Sequence, residues 1–386
     1  MLKELKQKAN RSRKANKKSA IVISAYDYYD VRAKYFVEFL EGEGYEVDYL
    51  IASFNHYTKG KQKKREGATL IKTIGYKRNV SAKRLLSCLM FSAGVNRKII
   101  KEKPQVVYSI IPPNSICLFT GKTKQKLGYR LILDIIDSWP ESFSFNNKAL
   151  KLLSLPFFCI WRNMRNSYIT LADTVIGVSE TALGVVPPGE YKRMLLYPMP
   201  RRNAEIDLSA FKNTETIKFC YLGGINKLLN MDRIVGLLSA INKNRRAELH
   251  IIGNGEKKPE FIDRLTSEGV AVVDHGEIYK WEEKFKIYSA CSFGINVPKS
   301  EAKVTMSLKG AEYFCASLPV INEAFGDTEK LVKQYKAGIN TRNISLEKAA
   351  KIIADLKYEE IVEYKNNAYV LYKEEFETKL SKELLF

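Results

Sequence analysis

Two side chains of opposite charge stand three residues apart in the segment SLKGAEYFCASLPVIN: Lys309 and Glu312. An ionised carboxylate only accepts hydrogen bonds and suits a diol, while an ammonium can neutralise charge that develops on a leaving group. The same spacing makes them neighbours on one helical face, so a helical ion pair is the structural alternative. A glycine pair, Gly223 and Gly224, closes the strand-like run IKFCYL in YLGGINK. Glycines there allow close backbone approach, and a following helix offers free N–H groups and a positive dipole end to a phosphate. Any doubly wound domain can need such a turn for its own packing. The run IIGNGEKK resembles the opening of a dinucleotide fingerprint, but Lys258 stands where the third glycine belongs, and no strand-ending acid follows at the usual distance. Gly253 and Gly255 are read as a tight strand-to-helix turn, and NAD is not expected.

Other chemistries lack their residues. The three histidines, His56, His250 and His275, are isolated, and no HExxH, GxSxG or GxxxxGK[ST] is present. No DxD pair is available to hold a divalent cation against a nucleotide diphosphate, so neither a metal nor a cofactor is expected. The six cysteines are far apart, with no CxxC spacing, and read as buried thiols in a reducing cytosol.

Positioning the candidate residues requires alternating strands and helices, and these begin at Ser19. AIVISAY is a β-branched block, VRAKYFVEFLEGEGYEVDYLIAS supplies a helix, a glycine stop and a second strand, and VVYSII, RLILDII and DTVIGVS follow. A parallel, doubly wound sheet is the economical arrangement. YPMPRRNAEIDLSAFKNTET interrupts the rhythm, after which IKFCYL, ELHIIG, VAVVDHG, SFGINV and LPVIN form a second series. The expected organisation is a basic tail over 1–18, a Rossmann-like domain over 19–200, a linker over 201–214, a second Rossmann-like domain over 215–360 and a helical segment over 361–386.

A chain of 386 residues with 45% hydrophobic and 11% aromatic side chains accommodates two such domains. The net charge is +20 and unevenly placed. The first eighteen residues carry eight basic side chains against the single Glu4, and KGKQKKR at 59–65 opens a second basic stretch. Such a field attracts nucleic acid, anionic lipid or phosphorylated substrates alike. No binding motif of a nucleic-acid module accompanies it, so nucleic acid is not expected; the tail serves either solubility or membrane contact. The N-terminal residues lack a signal peptide's apolar core, and no run approaches a membrane span. The expectation is a cytoplasmic protein, peripheral at the inner face of the cell membrane.

SLKGAEYFCASLPVIN resembles the donor-site segment of family-4-type retaining glycosyltransferases. LILDIIDSWPESF is similar to a segment of bacterial capsule and cell-surface polysaccharide glycosyltransferases, as are VYSIIPPNS, RNSYITLADTVIGVSE and the Tyr197-Pro198 pair. The resemblance extends from about Ile21 to Gly338 and implies a GT-B fold, two Rossmann-like domains facing each other across a cleft. It implies that Glu312 hydrogen-bonds the ribose hydroxyls of a nucleotide-sugar donor and that Lys309 sits near its diphosphate. Gly223, Gly224, Gly253, His275 and Gly276 fall on loops that face the nucleotide, the contacts at His275 and Gly276 being expected from backbone. Asp137 and Trp139 would lie near the transferred sugar and acceptor, with Glu141 beside them; a Trp-Pro corner packed in the domain is the alternative for Trp139. Arg32 corresponds to a position facing the cleft, suited to an acceptor phosphate, or else is a helix-surface arginine.

The implied function is metal-independent, retaining transfer of a sugar from a nucleoside diphosphate, UDP being expected, to a surface-polysaccharide or lipid-linked oligosaccharide acceptor. Departures from the family pattern leave a non-catalytic, partner- or glycan-binding relative as the alternative. Val304 stands where a first glutamate is common, Gly224 and Leu229 where an arginine and a lysine often clasp the diphosphate, and Ile136 where a histidine often precedes the aspartate. Lys227, Lys299 and Lys303 are the candidates to restore that charge.

Overall fold

The computed structural model describes residues 18–26, 29–79, 81–141, 148–200, 203–227, 229–299, 305–377 and 380–386. The basic tail before Lys18, and with it Lys303 and Val304, lies outside the described residues. The chain divides into two compact units: Met1–Leu196 with Lys379–Phe386, and Tyr197–Thr378.

The first unit runs β1 (Ser19–Ser24), α1 (Asp30–Gly42), β2 (Glu46–Ala52), β3 (Ala68–Ile71), α2 (Ala82–Glu102), β4 (Val106–Ile111), α3 (Ser115–Leu127), β5 (Arg130–Ile135), α4 (Lys148–Ile169), β6 (Thr174–Gly177), α5 (Glu180–Gly184) and β7 (Lys192–Leu195). Its sheet has the order β3-β2-β1-β4-β5-β6-β7, every pair parallel. Central strands of such a sheet are covered on both faces, and every residue of β4 is buried accordingly. Helix α2 shows how the sequence builds the covering layer. Cys88, Phe91, Val95 and Ile99 recur at helical spacing on its buried face, and Ser81 caps its start by accepting the amide of Arg84. Truncating Phe91 would cost about 3 to 5 kcal/mol.

The second unit runs β8 (Ile217–Leu222), α6 (Met231–Asn242), β9 (Ala247–Ile252), α7 (Lys258–Ser267), β10 (Ala271–Asp274), α8 (Trp281–Ala290), β11 (Phe293–Asn296), α9 (Leu308–Cys315), β12 (Val320–Asn322), α10 (Asp327–Tyr335), β13 (Gly338–Asn340), α11 (Leu346–Ala354) and α12 (Tyr358–Leu371). The sheet order is β10-β9-β8-β11-β12-β13, again all parallel. In both units the order reverses beside the first strand, and such sheets bind ligands outside the carboxyl ends of their strands at that point. Gly223 follows β8 there.

Two boundaries differ from the sequence expectation. The segment 203–214 is not a free linker: the Glu205 amide donates to the Cys315 carbonyl at 2.8 Å, and Phe211 joins the core of the second unit. Nor is 361–386 one helical piece. Helix α12 packs in the second unit, whereas Leu384 and Leu385 bury against Ile132 and Ile176 of the first. Apolar residues this close to a chain end are held by burial, which composition alone does not reveal.

Candidate functional site

At the carboxyl edge of the second sheet three glycine turns lie against one another. The Gly223 amide donates to the Ile252 carbonyl at 2.9 Å, and the Gly253 amide to the Gly276 carbonyl at 2.6 Å. A Cβ on Gly253 would lie 2.2 Å from the Gly223 carbonyl oxygen, and φ there is +143°, so only glycine fits. Lys258, which breaks the dinucleotide pattern, closes this arrangement: its ammonium donates to the Gly253 carbonyl at 2.9 Å and pairs with Asp274 at 2.6 Å. The turn after β8 is thus built by backbone packing across three strands, with Gly224 and Lys227 left exposed beside it.

Helix α9 is fastened to the same strand. Tyr313 accepts the Leu222 amide at 2.6 Å and donates to the Cys220 carbonyl at 3.3 Å. Its ring lies where a Cβ on Gly294 would approach it to 2.6 Å, so β11 needs glycine at that point. Fastened in this way, α9 presents Lys309 and Glu312 in different surroundings. The Lys309 ammonium sits 4.7 Å from the centre of the Tyr221 ring, whose hydroxyl donates to the Gly224 carbonyl at 2.9 Å. Among the described residues no carboxylate pairs with it. Burial pushes its amine down to about 8, the direction expected of an ammonium removed from water.

Glu312 does not pair with Lys309. Its Oε1 accepts from the Lys284 ammonium and, at 2.8 Å, from the Tyr288 hydroxyl, both on α8. The helical ion pair suggested by spacing is replaced by a contact between helices. Among the described residues Oε2 has no partner, so the carboxylate is fixed in direction and keeps an acceptor atom. Burial, and Glu312 beside it, hold the Tyr288 hydroxyl far above the ordinary phenol range. Behind α8, the fully buried Lys365 donates to the Cys291 carbonyl at 2.7 Å, satisfying the chain at the end of that helix. Lys284, Tyr288 and Lys365 are not singled out by any motif; a basic residue on the helix preceding a lone helical acid was the available signal.

His275 stacks on His250, with Nε2 2.9 Å from its Nδ1, and His250 in turn meets Glu248 at 2.8 Å. Burial, followed by the neighbouring His250, lowers the His275 pKa. The imidazole is therefore engaged along the sheet, and Gly276 contributes its carbonyl to the turn. Three strand ends are also linked by an asparagine ladder: Asn296 donates to Asn322 and Asn322 to Asn340, each at 2.8 Å. The repeated Ile-Asn endings of GIN, VIN and GIN in the sequence carried that signal.

The first unit treats its nominated residues differently. Arg32 is neither a surface arginine nor an open anion holder. Its Nε and Nη2 donate to Asp134 at 2.6 and 2.9 Å, and Nη1 to the Leu196 carbonyl at 2.8 Å. Asp134 is fully buried in β5 and also accepts from Tyr108, so it requires a cation; an acid inside an apolar strand was the sign in the sequence. Glu141 is bound by the fully buried Arg165 at 2.7 and 3.0 Å, which commits both carboxylate oxygens. Trp139 is 8% exposed and meets Trp161, Phe157 and Phe158 edge-on, with its carbonyl accepting from Asn114. This is the packed corner, and sugar stacking on that ring is corrected accordingly. Asp137, two residues earlier, stays partly exposed just beyond β5.

No protein-family model matches the chain, and no curated protein matches it in sequence. Solved structures do match it in fold. A sucrose-phosphate synthase from Thermosynechococcus elongatus shares 12% identity over 92% of this chain and 95% of its own, with a TM-score of 0.62. The Anabaena protein Alr3699/HepE, in complex with UDP and glucose, shares 13% over 94% and 96%, at 0.58. A glycosyltransferase from Rickettsia africae shares 12% over 96% of each chain, at 0.62. At these identities the likeness establishes the fold: two Rossmann-like parallel-sheet domains, the GT-B class.

Proposed function

We propose that the chain is a glycosyltransferase that moves a sugar from a nucleoside diphosphate, UDP in the first instance, with retention of configuration and without a metal. The observation that carries this reading is the pair on α9: a Lys309 ammonium with no counter-charge among the described residues beside the Gly223-Gly224 turn, and a Glu312 carboxylate held by Lys284 and Tyr288 with Oε2 left to accept. In this reading Oε2 receives a ribose hydroxyl, and Lys309 stabilises the departing diphosphate with the turn amides and Lys227. Asp137 orients the sugar or acceptor. The HepE complexes with UDP and glucose support the donor class by analogy of fold.

The acceptor we assign is a surface-polysaccharide or lipid-linked oligosaccharide presented at an anionic membrane. No helix among the described residues is long and apolar enough to cross a bilayer. Support for peripheral contact comes from exposed Leu86 and Ile100 on α2 and Leu152, Leu155 and Ile160 on α4, with Lys101, Lys122 and Lys126 exposed on the same helical layer. UDP release measured with a panel of UDP-sugars tests the enzyme reading. Release by the wild type but not by Lys309→Ala or Glu312→Ala supports it, and equal background in all three leaves a non-catalytic relative.

A further inference from the structure

With Arg32 committed to Asp134, the anion-binding capacity of the first unit lies elsewhere. A cavity of about 470 Å³ opens beyond the ends of β2 and β3 and the start of α2, lined by Phe54, Lys59, Tyr76, Lys77, Arg78 and Lys83 with Gly75 and Ser81. None of these residues is acidic. Elsewhere on this unit basic side chains meet carboxylates: Lys98 meets Asp48, Lys124 meets Asp173 and Arg65 meets Asp30. Among the described residues the four cations of the cavity have none. Lys59 rests 5.1 Å from the centre of the Tyr76 ring, and burial together with the nearby Arg84 lowers its pKa. The Ser81-capped start of α2 adds the positive end of that helix's dipole.

The wall is held from behind. Arg84 donates to the Asn79 carbonyl at 2.8 Å, and its guanidinium lies 5.9 Å from the Tyr26 ring and 5.4 Å from the Trp139 ring. The cavity is thereby tied to the corner that follows Asp137. We propose that this cavity is a binding site for a phosphate or diphosphate group, and that the group belongs to the acceptor. Only the word acceptor rests on the glycosyl-transfer reading; the binding does not. The functional part of Trp139 then becomes positional: its ring supports Arg84, which holds the backbone at Asn79 beside Arg78.

Calorimetric titration of the full chain with inorganic pyrophosphate, and separately with farnesyl diphosphate, tests the site. Lys59→Ala/Arg78→Ala should weaken binding of both probes about tenfold or more, with unchanged melting temperature. Lys330→Ala/Lys333→Ala, which removes equal charge from exposed positions of α10, should change binding little. Lys309→Ala should retain the site, which separates it from any diphosphate held in the second unit. Tighter binding of farnesyl diphosphate than of pyrophosphate assigns the group to a lipid, and equal binding assigns it to a soluble phosphate. Equal losses in the two double variants, or abolition of all binding by Lys309→Ala, would overturn the proposal. Loss of UDP release in Lys309→Ala bears on the transferase reading alone.

Discussion

The carboxyl edges of the two sheets both present charged residues and use several of them in opposite ways. In the first unit two of the nominated charges are saturated: Arg32 by Asp134 and a carbonyl, Glu141 by Arg165. In the second, Lys309 rests on an aromatic face and Glu312 keeps one oxygen unpartnered among the described residues. A buried polar group with every valence satisfied stabilises the fold, whereas one that is fixed yet incompletely satisfied is prepared for a ligand. That difference is what singles out Lys309 and Glu312 for the proposed site.

The largest effect is expected of Arg32→Met. It leaves Asp134 buried and unpaired, so urea denaturation should show a loss of about 3 to 5 kcal/mol. Arg32→Met/Asp134→Asn should recover part of that loss. A mild effect in the single variant would mean that the pair is not structural. Next in size is Glu312→Gln, which keeps an acceptor for Lys284 but removes the charge. Nucleoside affinity should fall by roughly 1.5 to 3 kcal/mol, about tenfold or more, with little change in melting temperature.

A pH titration sharpens the contrast further. The Lys309 ammonium is charged below its lowered pKa of about 8 and loses its proton as pH rises through it. Affinity for UDP should therefore decline above pH 8 in the wild type, and Lys309→Arg should flatten the profile, since a guanidinium stays charged throughout. A wild-type profile without that decline would remove Lys309 from the diphosphate. The smallest effect is expected at Lys227, which is exposed: its alanine variant should lower UDP affinity only a few-fold and leave stability within about 0.5 kcal/mol.

Much of this architecture was legible because both sheets are buried on two faces. Runs such as VVYSII, RLILDI and IKFCYL are largely apolar blocks, and each became a strand. Three of the four edge strands escaped notice for the converse reason: β3 and β13 are only four and three residues long, and β7, KRML, begins with two exposed charges. Lys309 and Glu312 could be named, but not what they touch. Helical spacing reports a neighbour three residues away, and the partner of Glu312 is Lys284 on another helix. Arg32 and Asp134 are 102 residues apart, a pairing that no local pattern encodes. The cationic cavity was equally hidden, since KGKQKKR announces charge but not that Tyr76 and Phe54 give Lys59 a wall.

Paired measurement of turnover and thermal stability in Lys309→Met bears most directly on the claim that an unsaturated charge marks the site. The substitution removes a partly desolvated ammonium with no carboxylate partner among the described residues, so the melting temperature should hold or rise. UDP release should drop about 10² to 10³-fold, the cost of removing one stabiliser of transition-state charge. Turnover that survives while stability falls would contradict the account, because Lys309 would then belong with Arg32 among the charges that hold the fold.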